Sequence, residues 1–117
     1  MIKWPQNKKF AFTIVDDTDK VSVQNVKPVY EYLYKSGIIT TKTVWGLGSR
    51  DQYGGQSLSD NEYKEFIKDL SNKGYEIAFH GAGSGDFNRE EVLQSLNLIN
   101  EVVGYYPTLH ANHAHNS

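Results

Sequence analysis

A chain of 117 residues is long enough to form one compact domain with a hydrophobic core. Its formal charge of −2 would not attract a polyanion, so nucleic acid is not an expected partner. No apolar run reaches the roughly 18–20 residues of a membrane span, and no membrane partner is expected. The absence of cysteine excludes disulfides and thiolate metal sites, which leaves His, Asp and Glu as metal ligands.

The hydrophobic pattern predicts four short strands that alternate with helices. Each strand is an apolar or β-branched run of about six residues that gives way to polar or glycine-rich sequence. The predicted strands are residues 10–15 (FAFTIV), 40–46 (TTKTVWG), 75–80 (YEIAFH) and 107–112 (PTLHAN).

Three helices are predicted between these strands. Each has apolar residues spaced i, i+3, i+4, i+7, a polar capping residue before it and a glycine after it. The capping residues and terminal glycines are Asn25 and Gly37 for the first helix, Ser59 (paired with Glu62) and Gly74 for the second, and Asn88 (paired with Glu91) and Gly104 for the third.

This alternation predicts an α/β fold with a parallel sheet, formed by residues 1–117 as a single domain, whole or partial. Right-handed crossovers bring the carboxyl ends of parallel strands to one edge, where α/β proteins bind ligands. The first ten residues lack the apolar segment of a secretory signal, so the chain as given is expected to be cytoplasmic.

Potential metal ligands concentrate at this edge. Asp16, Asp17 and Asp19 directly follow the first predicted strand. The four histidines all lie at or just after a predicted strand end, namely His80, His110, His113 and His115. Carboxylate and imidazole together suit a divalent metal, zinc above all, with manganese, cobalt or nickel as alternatives.

Each of these features also has a purely structural interpretation. Acidic residues after a strand often form turns and helix caps, and a histidine that ends a buried strand is often a hydrogen-bonded core residue. The histidine-rich tail can equally be a frayed terminus. The metal hypothesis rests on the convergence of all three features on one edge of the sheet.

Two stretches, TIVDDTD (13–19) and GYEIAFHGAGS (74–84), resemble motifs of the polysaccharide deacetylases, carbohydrate esterase family 4. VKPVYEYLYKSGIITTKTVW (26–45) resembles the segment that links those motifs in the family. The resemblance implies a metal-dependent hydrolase that removes N- or O-acetyl groups from a carbohydrate. It makes Asp16 the catalytic base, and Asp17 and His80 metal ligands.

The chain departs from the family pattern at Ser84, which stands where the family has a second metal-binding histidine. We expect His113 to supply the third ligand, because a catalytic zinc usually has three protein ligands. Four further residues at or after strand ends are expected to contact the carbohydrate: Trp45, Arg50, Ser84 and Asn112.

The resemblance covers only the first half of the family domain, a distorted (β/α) barrel that typically takes roughly 200 or more residues to close. Half of such a barrel would expose a sheet face and strand edges. The chain is therefore expected to form a homodimer or to be part of a longer chain. Members of the family are often secreted.

Other functions remain open at this point. An inactive fragment or a carbohydrate-binding relative would explain the lost histidine. DTDKV (17–21) also fits the start of haloacid-dehalogenase-type phosphatases, with Asp17 as nucleophile. A response-regulator receiver domain has a similar acidic pair and length. His80 disfavours both, because they need a lysine or an acidic residue after later strands.

Overall fold

The computed structural model describes residues 3–112 and contains three strands and three α-helices within them. After a short 3₁₀ turn at Pro5–Asn7, strands and helices alternate along the chain. Their order is β1 (Val15–Asp16), α1 (Val23–Lys35), β2 (Thr41–Val44), α2 (Asn61–Asn72), β3 (Glu76–Phe79) and α3 (Arg89–Val103).

The three strands form one parallel sheet in the order β1-β2-β3. Val15 pairs with Thr41, and Val44 pairs with Phe79, so the carboxyl ends of the strands meet at one edge. The predicted α/β class, the parallel sheet and the alternation of strands and helices are confirmed. The comparison with half of a barrel stays a prediction.

The first strand is much shorter than the predicted range of 10–15. It contains only Val15 and Asp16 because β2 begins at Thr41, opposite Val15, and no described residue pairs with positions 10–13. α1 ends at Lys35, and the connection to β2 turns at Gly37 with a φ of 69°. Residues 10–13 therefore have no neighbouring strand within residues 3–112.

The predicted fourth strand, residues 107–112, is reduced to a single bridge. His110 pairs in parallel with Phe79. The amide of Phe79 donates to the carbonyl of Leu109, and the amide of Ala111 donates to the carbonyl of Phe79, both at 3.0 Å. The segment thus runs beside β3 but is not a strand within residues 3–112.

The helix caps agree with the sequence only in part. The Asn88–Glu91 capping box of α3 is present as predicted. α1 begins earlier than predicted, because Ser22 is its N-cap and Asn25 is the reciprocal partner in the capping box. The N-cap of α2 is Asp60, so the predicted Ser59–Glu62 box is wrong. The Ser59 hydroxyl instead donates to the carbonyl of Gly46, at 3.3 Å.

The hydrophobic core lies between the sheet and the helices. Tyr30 of α1 packs edge-on against Phe66 of α2 and against Tyr75, with ring centroids 5.9 and 5.1 Å apart. The fully or nearly fully buried members of the core include Tyr30, Val44, Leu58, Tyr63, Ile67, Leu70, Tyr75, Ile77 and Ile99. This core fixes the strands against the helices, and so positions the loops at the carboxyl edge of the sheet.

Gly46, directly after β2, lies against α3 with no room for a side chain. A Cβ atom there would stand 2.8 Å from the Cα of Ser95 and closer still to the Ser95 hydroxyl. Ser95 is itself fully buried. The close approach of α3 to the end of β2 therefore depends on glycine at this position.

We expect Gly46→Ala to lower the free energy of unfolding by about 1–3 kcal/mol, the usual cost of overpacking a core. Gly48→Ala is the matched control, because a Cβ at Gly48 meets nothing within 4 Å. That variant should stay within about 1 kcal/mol of the parent. Urea titration of both variants measures the difference, and equal stabilities would contradict the packing described here.

Candidate metal centre

His80 lies at the carboxyl end of β3 and is almost fully buried, with 2% of its surface exposed. Its amide donates to the carbonyl of Val44 at 3.0 Å, which continues the pairing of β2 with β3 by one residue. The imidazole stacks on the indole of Trp45, with centroids 6.2 Å apart and planes 25° apart. Both its backbone and its ring are thus held by neighbouring structure.

Two carboxylates from the loop after β1 flank this imidazole. Asp17 Oδ1 lies 3.9 Å from His80 Nδ1, and Asp19 Oδ2 lies 3.6 Å from His80 Nε2. The side chain of Asp17 is 61% exposed and that of Asp19 is 36% exposed. The group is therefore open to solvent on the carboxylate side and closed on the side of the histidine.

These three side chains can hold a metal ion. Each offers one ligand atom, and the three atoms lie within 4.8 Å of one another. The carboxylate-to-imidazole distances are too long for hydrogen bonds. Ligands that share one metal at about 2.0–2.2 Å lie about 3–4 Å apart, and because one ion binds only one ring nitrogen, only one of these two distances is a ligand-to-ligand distance for a given ion.

A buried lysine organises the loop that carries the carboxylates. Lys42, in the middle of β2, is fully buried, and its ammonium lies 3.0 Å from Asp16 Oδ2. The same ammonium donates to the carbonyl of Asp17 at 2.9 Å. Burial lowers the pKa of Lys42, and the neighbouring Asp16 carboxylate opposes that shift.

Asp16, the expected catalytic base, is held from a second side by α1. The Tyr30 hydroxyl donates to Asp16 Oδ2 at 2.9 Å. Burial raises the pKa of Tyr30 well above its ordinary value, so this hydroxyl remains a donor at neutral pH. Oδ2 of Asp16 thus contacts donors from both Tyr30 and Lys42.

The turn between Asp17 and Asp19 is anchored by Thr18. Its side chain is fully buried, and its hydroxyl lies 3.2 Å from the Tyr63 hydroxyl of α2. The carbonyl of Thr18 accepts from the amide of Val21 at 3.1 Å. Because Thr18 points inward, its two neighbours point outward, and both can reach the imidazole.

The expected substrate-contacting residues lie in different surroundings. Trp45 is fully buried beneath His80. Ser84 is also fully buried, and its hydroxyl donates to Asp51 Oδ2 at 2.7 Å. Both positions support the loops around the imidazole, and their contact with a carbohydrate stays a prediction.

Arg50 clamps the loop after β2 to the start of α3. Its guanidinium pairs with both oxygens of Glu91 and donates to the carbonyl of Asp86 at 2.8 Å. It also lies over the ring of Phe87, 4.1 Å from the centroid. The guanidinium thus has structural partners in the loop before α3, and its contact with substrate also stays a prediction.

Asn112 is exposed and lines a cavity of about 280 Å³ with His110, Gly81 and Phe87. This cavity is lined by none of Asp16, Asp17 and Asp19. His113, the expected third metal ligand, lies outside the described residues 3–112. Of the predicted site residues, the structure therefore brings Asp16, Asp17, Trp45 and His80 together.

Two residues of this centre were not assigned a specific role from the sequence, although Asp19 was among the potential metal ligands. Asp19 is visible as part of the acidic run, but only the inward turn at Thr18 shows that it faces His80. Lys42 has a weaker signal, a single charge within the β-branched run TTKTVW. A lysine in a fully buried strand requires a carboxylate partner, and Asp16 is its register partner on β1.

The chain matches no family model, no curated protein and no solved structure. The resemblance to polysaccharide deacetylases therefore rests on the two motifs and the segment between them. Within residues 3–112, no helix has both the length and the hydropathy needed to cross a bilayer.

We expect Asp16→Asn to lower the free energy of unfolding by about 1–3 kcal/mol, because it leaves the buried Lys42 ammonium without its carboxylate. Asp17→Asn is the matched control, since its exposed carboxylate has no such partner role towards Lys42, which contacts only its backbone carbonyl. Denaturant unfolding of both variants with a chelator present makes the comparison. An equal loss of unfolding free energy in the two variants would show that the Lys42–Asp16 ion pair does not stabilise the fold.

Proposed function

We propose that this chain is a metal-dependent hydrolase of the polysaccharide deacetylase type, which removes N- or O-acetyl groups from a carbohydrate. The observation that carries the proposal is the meeting of Asp17, Asp19 and His80 at the carboxyl edge of the parallel sheet. Two of the three are the residues that the motif resemblance makes metal ligands. The third, Asp19, is not among the ligands that the resemblance implies; it lies in the loop after β1.

Asp19 would be the third protein ligand, because Ser84 stands where the family has its second metal-binding histidine. Ser84 is buried and bonded to Asp51, whereas Asp19 Oδ2 faces His80 Nε2 at 3.6 Å. Two carboxylates and one imidazole are a suitable donor set for zinc, and manganese, cobalt and nickel accept the same donors. His80 would hold the ion through one ring nitrogen, and Asp17 and Asp19 would each supply a carboxylate oxygen, the three ligand atoms lying within 4.8 Å of one another.

A divalent metal at this position supplies a Lewis acid that polarises a carbonyl and activates water for attack on it. Asp16 is the proposed base, because it directly precedes the ligand Asp17 and is 38% exposed beside the cluster. Lys42 and Tyr30 fix the orientation of its carboxylate. Transfer of the acetyl group from the sugar to water would use the metal, the Asp16 base and a hydrogen-bond donor that stabilises the developing oxyanion.

A second candidate is a carbohydrate-binding relative without hydrolytic activity. The observation in its favour is that Asp16 Oδ2 already contacts two donors, Lys42 and Tyr30. Such a relative would bind saccharide without releasing acetate, and it need not retain the metal. The two candidates therefore differ in turnover, and only the hydrolase requires a tightly held divalent ion.

We expect the purified chain to bind one zinc ion, and Asp17→Ala, Asp19→Ala and His80→Ala each to weaken binding by more than about 100-fold, since the loss of an outer-shell partner alone costs about 10–100-fold. Asp69→Ala is the control, because Asp69 pairs with Lys73 on the surface of α2. Isothermal titration with zinc, manganese, cobalt and nickel measures the affinities and ranks the metals. Affinities unchanged by all three ligand variants would refute the site.

We expect Asp16→Asn to abolish acetate release from acetylated oligosaccharides while zinc affinity changes less than tenfold, because the base is separate from the ligands. The assay measures released acetate for parent, Asp16→Asn and Asp69→Ala. Turnover retained in Asp16→Asn would remove Asp16 from the mechanism. Metal binding without any turnover in the parent would favour the carbohydrate-binding relative.

A further inference from the structure

The segment before β1 exposes large apolar side chains to an unusual degree. Phe10 is 76% exposed, Phe12 is 81% exposed and Ile14 is 39% exposed. In an extended chain these alternate residues lie on one face, together with Lys8 and Asp16. We call residues 8–16 the edge segment.

The edge segment continues the first strand, which has an open edge. β1 pairs with β2 on one side only and is the outermost strand of the three-stranded sheet. An exposed edge with β-prone apolar sequence is a template for pairing with another strand. Within the sequence KKFAFTIVD, residues 8–13 therefore have strand character but no strand partner within residues 3–112.

We propose that a second copy of this chain covers the edge segment by antiparallel pairing about a two-fold axis centred on Phe12. In this arrangement Phe12 lies opposite its own copy, Phe10 lies opposite Ile14, and Lys8 lies opposite Asp16. The two sheets join into one continuous sheet across the axis.

Symmetry restricts the register. A two-fold axis that relates two antiparallel edge strands is perpendicular to the sheet, so directly opposite residues share one face and are both even-numbered or both odd-numbered. A centre on Phe12 satisfies this and pairs apolar with apolar side chains. A centre on Thr13 also satisfies it, but places Phe10 opposite the charged Asp16.

Charge complementarity selects the same register. The segment is basic at its start, Lys8, and acidic at its end, Asp16. Antiparallel pairing therefore sets an ammonium against a carboxylate at both ends, whereas parallel pairing would set like charges together. Asp16 is 38% exposed, so an ammonium from outside can approach it in addition to Lys42. Because Asp16 is also the proposed base, this pairing places a second cation beside that base.

The surface beside the edge has room for the second copy. A cavity of about 360 Å³ lies between β1 and α1. Ile14, Val29 and Leu33 contribute to its apolar wall, and Asp16, Asp17 and Asp19 of the candidate metal centre also line it. Val29 is 53% exposed. Phe10 of the second copy, opposite Ile14, packs on the apolar wall of this cavity and removes apolar surface from water on both copies.

Single-cysteine variants test the register. Because the chain has no cysteine of its own, only the introduced thiol can form a disulfide. We expect Phe12→Cys to form a disulfide-linked dimer on mild oxidation, since opposite residues of a strand pair lie about 4.5–5.5 Å apart at Cα. Thr13→Cys and Tyr106→Cys should cross-link at least about tenfold more slowly, because Thr13 lies more than about 7 Å from its own copy in this register. Non-reducing gels quantify the three rates.

Sedimentation velocity over a range of concentrations tests the association itself. We expect a reversible dimer of the parent, and Lys8→Glu should raise its dissociation constant by about tenfold or more, because both symmetric ion pairs become repulsive. Lys68→Glu on α2 is the control and should leave the constant unchanged. A monomer at high concentration, equal effects of the two charge reversals, or faster cross-linking of Thr13→Cys than of Phe12→Cys would overturn the proposal.

Discussion

The ammonium of Lys42, buried in the middle of β2, is the contact from which the geometry of the carboxyl edge follows. It neutralises Asp16 and binds the carbonyl of Asp17, so it fixes the direction in which the chain leaves β1. Buried charges persist in proteins when they are paired and hydrogen-bonded, and both conditions are met here. This cation also explains how three carboxylates can lie within four positions. Asp16 is paired with Lys42, whereas Asp17 and Asp19 flank His80.

Local signals predict the fold better than contacts between distant segments do. The Asn88–Glu91 box was predicted from the N-cap and N3 spacing of its two side chains, whereas Ser22 and Asn25 each fit the start of α1 and form its box together. Residues 10–13 have the apolar alternation of a strand. Strand formation needs a partner, however, and β2 begins too late to provide one.

The candidate site was predictable to the extent that it depends on strand ends. Asp17 and His80 follow from their positions at the ends of β1 and β3. Asp19 could not be distinguished from a turn residue, because its direction depends on the burial of Thr18 against Tyr63. Lys42 could not be assigned either, since a pattern of apolar residues does not show which charged neighbour a lysine will meet.

Glu91 joins two parts of the molecule that the chain separates by some forty residues. Its carboxylate completes the capping box of α3 by accepting the amide of Asn88, and it also holds Arg50 from the loop after β2. Arg50 and Asn88 lower the pKa of Glu91 below its ordinary value of 4.5. The stabilisation is therefore complete above that value and is lost as the pH falls through the lower pKa of the folded state. In acid, protonation of this one carboxyl would weaken both of its contacts at once, while Arg50 keeps its bond to the carbonyl of Asp86 and Asn88 still accepts the amide of Glu91.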